Sequence, residues 1–146
     1  MAKTANLKKI KKTMEKILKE LGIDGAEYTL DEKKASVLFD ISLKAYDDVI
    51  IAHFEYFANS MAAFTFTFDH LQINSQTLRM INEANQKLCF FFAYIDAEKE
   101  YLRMEHSCFH VNEDEYYDYA CSVINEFVDD DTIEILKPLC ILSEGD

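Results

Sequence analysis

The first segment of the chain carries the clearest helical pattern. Its apolar residues recur at steps of three and four, which places them on one face of an α-helix: Leu7, Ile10, Met14, Ile17, Leu18 and Leu21. Gly22 follows directly, and glycine often ends a helix because it adopts the left-handed conformation of a C-cap. The pattern predicts an amphipathic helix over residues 4–21.

After this helix the apolar period changes to two, as expected for strands. Apolar residues alternate in 37–43, fill most of 49–57, and alternate again in 62–69. Tyr46-Asp47-Asp48 and Asn59-Ser60 separate these segments as turns. Tyr28 to Leu30 also has the composition of a short strand. Consecutive strands joined by short turns predict an antiparallel meander.

The middle of the chain returns to a helix and then to a hairpin. Asn74 is a suitable N-cap for a helix that ends near Lys87, because its side-chain oxygen can accept a free backbone N–H. We expect this helix to turn its apolar residues inward: Leu78, Ile81, Ala84 and Leu88. Residues 88–95 and 100–111 have strand patterns, and the segment 96–99 between them predicts a hairpin turn.

Two more helices are predicted near the C-terminus. Asn112 and Glu115 resemble a capping box, and the helix after them extends to about Val128. Its apolar stripe consists of Tyr116, Ala120, Val123, Ile124 and Phe127. Asp131 is a suitable cap for a short helix over 132–137, which Pro138 would end. The apolar tail 139–142 is expected to dock on the body or on a partner.

The resulting element order is α-β-β-β-α-β-β-α(-α). We expect residues 1–146 to form a single α+β domain, with the N-terminal helix at 4–21 and a short helix and tail at 131–146. Its antiparallel sheet has about five strands, and the helices pack mainly on one face.

The composition of the chain excludes some classes of function. The chain has 146 residues and a net charge of −12, so binding to a nucleic acid backbone is not expected. Three glycines leave no glycine-rich phosphate loop. The charge is uneven, because lysines crowd residues 3–19 and acids crowd residues 98–134. Such a layout suits head-to-tail contacts, or a basic helix lying beside an acidic surface.

Cysteine usage and the N-terminus indicate a cytoplasmic protein. The four cysteines, Cys89, Cys108, Cys121 and Cys140, form no C-x-x-C pair, which favours free thiols in a reducing compartment. Cys89 and Cys121 are expected to be buried structural thiols. No signal-peptide core and no membrane-spanning apolar run are present in the sequence, so membrane insertion is not expected.

Residues 78–109 resemble the YbjN-type bacterial domain, described as a sensory transduction regulator. In that family a helix carrying an Asn-x-x-Asn pair precedes a hairpin, and here the pair is Asn82 and Asn85, followed by strands 88–95 and 101–109. The turn 96–99 departs from the family because it lacks glycine. YbjN-type domains share their fold with class I chaperones of type III secretion.

This resemblance implies a small, acidic, often dimeric protein-binding module, chaperone-like or regulatory, with no cofactor and no catalytic residues. Asn82 and Asn85 either satisfy backbone groups where the helix meets the next strand or contact a ligand. We expect a homodimer with a further, unidentified protein partner.

An alternative function rests on His106, Cys108 and His110. Alternate residues of a strand share one face, and imidazole and thiolate are zinc ligands, so these three predict a small metal-binding protein or enzyme. His53 and His70 lie in or beside strands, where a lone histidine is usually structural. The segment 129–131 lacks the spacing of a calcium loop, and a cap between helices is the better interpretation.

Excess apolar surface is the main functional indication. Three residues of one strand and three of another are candidates for an interaction surface: Phe64, Phe66, Phe68, Phe90, Phe92 and Tyr94. The alternative is that these rows simply form the core. Protein binding and metal binding therefore remain as two hypotheses, with protein binding preferred.

Overall fold

The computed structural model describes residues 2–23, 25–46, 48–68, 75–96, 98 and 101–144, with the backbone alone for 2–6, 48 and 140–144. Within these residues the chain forms four helices and six strands. The helices are α1 Ala2–Glu20, α2 Ser75–Lys87, α3 Tyr116–Phe127 and α4 Asp130–Glu144. The strands are β1 Glu27–Asp31, β2 Ser36–Ala45, β3 Asp48–Phe57, β4 Ala62–Phe68, β5 Phe92–Asp96 and β6 Tyr101–Cys108.

All six strands form one antiparallel sheet in the order β1-β2-β3-β4-β6-β5. The α+β class, the antiparallel sheet and the β2–β4 meander are confirmed. The sheet has six strands rather than about five, because residues 27–31 pair with 36–40 of β2. So short a strand is stabilised by its neighbour's hydrogen bonds rather than by its own pattern, which explains why the sequence only suggested it.

The prediction of a strand over 88–95 was wrong in its first half. The Leu88 N–H donates to the Ala84 carbonyl at 2.8 Å and so ends α2, and β5 begins only at Phe92. Phe91 is buried nonetheless, with its ring edge-on to those of Phe66 and Phe127. The apolar run therefore reflects a connection that packs into the core, which periodicity alone does not distinguish from a buried strand.

The last helix is longer than predicted. Helix α4 spans Asp130–Glu144 and continues through Pro138. Its cap is Asp129 rather than Asp131, since the Asp129 carboxylate accepts the Asp131 N–H at 3.1 Å. Leu136 and Leu139, on either side of the proline, are buried in the core. Their packing compensates for the backbone hydrogen bond that proline lacks. The tail, predicted as a separate segment, belongs to this helix as far as residue 144.

The helix stripes that face the core are mostly those predicted. Gly22 adopts a φ of 69°, and the Ile23 N–H donates to the Leu18 carbonyl at 2.9 Å, which is the Schellman pattern of a glycine C-cap. In α2 the buried stripe is Thr77, Ile81 and Ala84, so the prediction that Leu78 faces inward was wrong. Leu78 lies about 100° around the helix from Thr77 and is 57% exposed. The predicted cap Asn74 lies outside the described residues.

The predicted capping pair precedes α3 as a turn. The Asn112 side-chain oxygen accepts the backbone N–H groups of Asp114 and Glu115, both at 3.1 Å. The Asn112 amide in turn donates to the Glu115 carboxylate at 2.7 Å. The predicted stripe of α3 is fully confirmed, because all five of its residues are buried.

The core lies between the helices and one face of the sheet. Alternate residues of β2, β3, β4 and β6 point toward α1 and α3 and are almost fully buried. Aromatic rings form its centre: Phe66 stacks on Phe127 at 3.8 Å between centroids, and Phe54 meets both Phe64 and Phe66 edge-on. The opposite face of the sheet is covered by none of the described helices.

The hydroxyl group of the core residue Tyr116 is expected to destabilise the fold, so removing it should increase stability. Its hydroxyl is buried without a hydrogen-bond partner among the described residues, and a buried unsatisfied hydroxyl destabilises the fold. Tyr116→Phe should raise the free energy of unfolding by about 1 kcal/mol at neutral pH, measured by urea denaturation. Burial, the largest cause, raises the pKa of Tyr116 above its usual value. Below about pH 10 the hydroxyl is neutral in both the folded and the unfolded state. Above that pH its ionisation favours the unfolded state, so Tyr116→Phe should also resist alkaline unfolding better than the wild type.

Tyr56 provides the matched control. Its hydroxyl is also buried, but it donates to the Val111 carbonyl at 2.6 Å. Tyr56→Phe should therefore lower the free energy of unfolding by about 1 kcal/mol, opposite in sign to the change at Tyr116. Equal destabilisation by the two substitutions would contradict the assignment of Tyr116 as unsatisfied.

Candidate functional site

His106 joins three parts of the fold. Its Nδ1 lies 2.8 Å from the Phe90 carbonyl oxygen, and since a carbonyl only accepts, Nδ1 must carry the hydrogen. Its Nε2 contacts the Tyr119 hydroxyl, which then donates to it. The imidazole also stacks on the Phe90 ring, with centroids 3.9 Å apart and planes 6° from parallel. Both nitrogens are thus occupied, and no lone pair remains for a metal ion.

Cys108 and His110 do not complete a metal site with His106. Strand β6 ends at Cys108, and His110 lies beyond it with a φ of 64°, so the prediction of one shared face was wrong for His110. Burial raises the pKa of the Tyr119 hydroxyl, which contacts His106. Among the described residues no group of three or more His, Cys, Asp or Glu side chains is placed to hold a metal ion.

The Phe row of β4 belongs to the core. Phe64 and Phe66 are fully buried and Phe68 is nearly so, because these residues face the helices. The prediction that these three residues form a surface for a partner was therefore wrong. Their alternation with Ala and Thr indicated a half-buried strand, but it could not indicate that α3 covers the apolar side.

The second predicted set, Phe90, Phe92 and Tyr94, does not form one continuous surface. Phe90 precedes β5 and is half-buried against His106. Phe92 is 60% exposed and lies on the edge strand β5, on the face away from the helices. Tyr94 shares that face, packs against Phe92 at 6.1 Å between centroids, and donates from its hydroxyl to Glu105 at 3.2 Å. Only Phe92 and Tyr94 of the six predicted residues can contact a partner there.

The uncovered face of the sheet is acidic. By strand register, eight described charged side chains lie on it: Glu27, Asp31, Asp40, Lys44, Glu55, Asp96, Arg103 and Glu105. Six are carboxylates and two are cations. The Arg103 guanidinium pairs with the Asp96 carboxylate at 3.3 Å, and the Asp40 carboxylate contacts His53. The remaining carboxylates give this face a negative potential.

Asn85 has a structural role. Its amide donates to the Ala93 carbonyl at 2.9 Å, and its oxygen accepts the Ala93 N–H at 2.8 Å. These two bonds pair backbone groups of the edge strand β5, as a neighbouring strand would. The interpretation that Asn85 satisfies the backbone between helix and strand is confirmed. Asn82 is exposed.

An apolar groove of about 580 Å³ lies where the end of α1 meets the β2–β3 hairpin and the end of α3. Its aliphatic lining is Leu21, Ile23, Leu43, Val49, Ile124 and Val128. The groove is also lined by Gly22 and by three polar residues: Ser42, Lys44 and Asn125. The apolar periodicity does not indicate this groove, because it assigns Leu21 to a helix stripe and Val128 to a helix end. Their exposure depends on how the helix ends sit over the sheet.

The other candidates carry no chemistry in this structure. His70 and the side chain of Cys140 lie outside the described residues. Cys89, Cys108 and Cys121 are free thiols, and Cys89 is exposed rather than buried because it lies in the connection before β5. Burial raises the pKa of the Cys121 thiol, which disfavours a nucleophilic thiolate. In the described part of the chain no helix is both long and apolar enough to cross a bilayer.

Comparison with known proteins adds no assignment. No family model matches the chain, and searches of the curated proteins and of the solved structures found no match.

Proposed function

We propose that this domain is a non-enzymatic protein-binding module, chaperone-like or regulatory, that binds a polypeptide on the uncovered face of its sheet. The observation that carries the proposal is Phe92, a large aromatic side chain that is 60% exposed on a face that no described helix covers. The resemblance to YbjN-type domains suggests the same class of function.

The residues around Phe92 are of the kinds that stabilise protein interfaces. Tyr94, Tyr101 and Arg103 share its face on β5 and β6. Tyrosine and arginine are enriched where alanine substitutions weaken binding most. These residues lie on the uncovered face of the sheet, and an open surface of this kind favours a polypeptide over a small molecule.

Charge identifies the kind of partner. Among the described residues, six carboxylates and two cations on this face attract a segment that carries lysine or arginine. A second copy packed face to face would bring the same carboxylates together, so a basic polypeptide fits better than self-association. The homodimer predicted from the sequence is therefore an alternative occupant of this face.

Phe92→Asp is the decisive substitution, and Leu78→Asp is its control. Leu78 is 57% exposed on α2, on the helical side of the fold, so both changes introduce one carboxylate at an exposed apolar position. We expect wild type and Leu78→Asp to capture the same basic protein from the native cell. Phe92→Asp should bind the purified partner at least tenfold more weakly, measured by calorimetry.

Two outcomes would contradict the proposal. Equal affinity of Phe92→Asp and wild type would show that the partner binds elsewhere. A solution mass of twice the 17.0 kDa chain that Phe92→Asp reduces to 17.0 kDa would show that a second copy occupies the face. The alternative of a metal-binding protein or enzyme using His106, Cys108 and His110 has no observation in its favour.

A further inference from the structure

We propose that Phe92, Tyr94 and Glu105 form a recognition site for one arginine side chain of the partner. This inference rests on the proposed function, because it names the residue of the basic polypeptide that the uncovered face recognises. Phe92 and Glu105 are direct partners across β5 and β6, and Tyr94 follows Phe92 on the same face of β5. The three side chains therefore lie together near one edge of the sheet.

The Glu105 carboxylate is held in place, but its charge is not compensated by a cation. One of its oxygens accepts the Tyr94 hydroxyl at 3.2 Å, and the other accepts the Ser107 hydroxyl at 3.1 Å. Both donors are neutral, and no described Lys, Arg or His side chain forms an ion pair with this carboxylate. A carboxylate oxygen has two lone pairs, so each oxygen can accept one further N–H.

Arg103 is the described cation closest to this site in the strand register, and it is directed elsewhere. It lies opposite Tyr94, and its guanidinium pairs with the Asp96 carboxylate at 3.3 Å. Along β5, Asp96 lies on the far side of Tyr94 from Phe92. The described part of the chain therefore leaves the place beside Phe92 and Glu105 for a cation from another molecule.

The two aromatic rings favour arginine over lysine as this cation. The Phe92 and Tyr94 ring centroids are 6.1 Å apart with planes 25° from parallel, and Phe92 is 60% exposed. A guanidinium is planar, stacks on aromatic faces and donates two parallel N–H bonds to a carboxylate. An ammonium group is a strongly hydrated point charge that does neither. One arginine can therefore contact an aromatic face and both Glu105 oxygens.

The experiment titrates the isotope-labelled full chain with a short probe peptide, acetylated and amidated, in which a single arginine is flanked by glycines. We expect saturable changes in the amide NMR shifts of β5 and β6. The same peptide with lysine should bind about threefold more weakly, because an ammonium group cannot stack or donate in parallel. The peptide with citrulline, which is planar but uncharged, should bind about tenfold more weakly.

Glu105→Gln keeps the shape of the side chain and removes its charge, so it should weaken the arginine peptide about tenfold. Glu55→Gln is the matched control, because Glu55 is another carboxylate on this face and also accepts a serine hydroxyl, from Ser36 at 2.9 Å. It lies on β3, which β4 and β6 separate from β5, so its loss should weaken the peptide by less than about twofold. A thermal melt of each variant shows that it folds.

Phe92→Leu tests the aromatic part of the site. It removes the ring and keeps an apolar side chain, so it should weaken the arginine peptide about threefold and leave the citrulline peptide less affected.

Three results would overturn this inference. They are no saturable shift changes in β5 and β6, equal binding of the arginine and citrulline peptides, and equal weakening by Glu105→Gln and Glu55→Gln. The last result would show that the face attracts cations by its overall charge, and the proposed function would still stand. The proposed function is tested separately, by the affinity of Phe92→Asp for the purified partner.

Discussion

Phe66→Ala is expected to lower the free energy of unfolding by about 3–5 kcal/mol, which is a large part of the 5–15 kcal/mol typical of a domain. Phe66 is fully buried in the central strand β4. Its ring stacks on Phe127 at 3.8 Å and meets Phe54 and Phe91 edge-on, so its removal leaves a cavity bordered by three other aromatic rings. Urea denaturation followed by circular dichroism measures the change.

Phe92→Ala is the control that separates core from surface. The same side chain is removed, but from a position that is 60% exposed, so stability should change by no more than about 0.5 kcal/mol. If both substitutions destabilised the monomer equally, Phe92 would be part of the core and the proposed binding face would lose its anchor. If Phe66→Ala were neutral, the aromatic core described above would be wrong.

His106→Ala is expected to lower the free energy of unfolding by about 2–4 kcal/mol. The substitution leaves the Phe90 carbonyl without its donor and the Tyr119 hydroxyl without its acceptor, and it removes the stacked ring. These contacts hold β6, the connection before β5 and α3 together, so hydrogen exchange should accelerate in all three.

His53→Ala is the matched control for His106. His53 is paired with Asp40 on the uncovered face, and both side chains are substantially exposed, so its loss should cost less than about 1 kcal/mol. Zn²⁺ should not raise the melting temperature of the wild type. A Zn²⁺-dependent rise that His106→Ala abolishes would contradict the structural role of His106 and favour the metal-binding alternative.

The sequence was a good guide wherever a segment has a regular period. The stripe of α3, from Tyr116 to Phe127, and the alternation in β4 follow from the fixed geometry of helix and strand. Gly22 was recognisable as a C-cap because few other residues adopt its φ of 69° without strain. Such local signals were enough for the α+β class and for most element boundaries.

The sequence was a poor guide where a long-range contact outweighs local preference. Pro138 should have ended a short helix, but Leu136 and Leu139 pack into the core on either side of it. Residues 88–91 are as apolar as a strand, yet Phe91 fills the core from a connection. In both cases the burial of side chains against distant residues contributes more free energy than the intrinsic propensity of the segment.

The candidate sites illustrate the same division. Composition and periodicity alone established that this chain is an acidic α+β protein with two strongly apolar strand regions and a basic first helix. Tertiary structure alone decided that Phe64 and Phe66 are sealed beneath α3 while Phe92 is exposed, that both nitrogens of His106 are occupied, and that the ends of two helices leave a groove beside Lys44. The physical reason is that period fixes which residues share a face, whereas the packing of distant segments determines which face is covered.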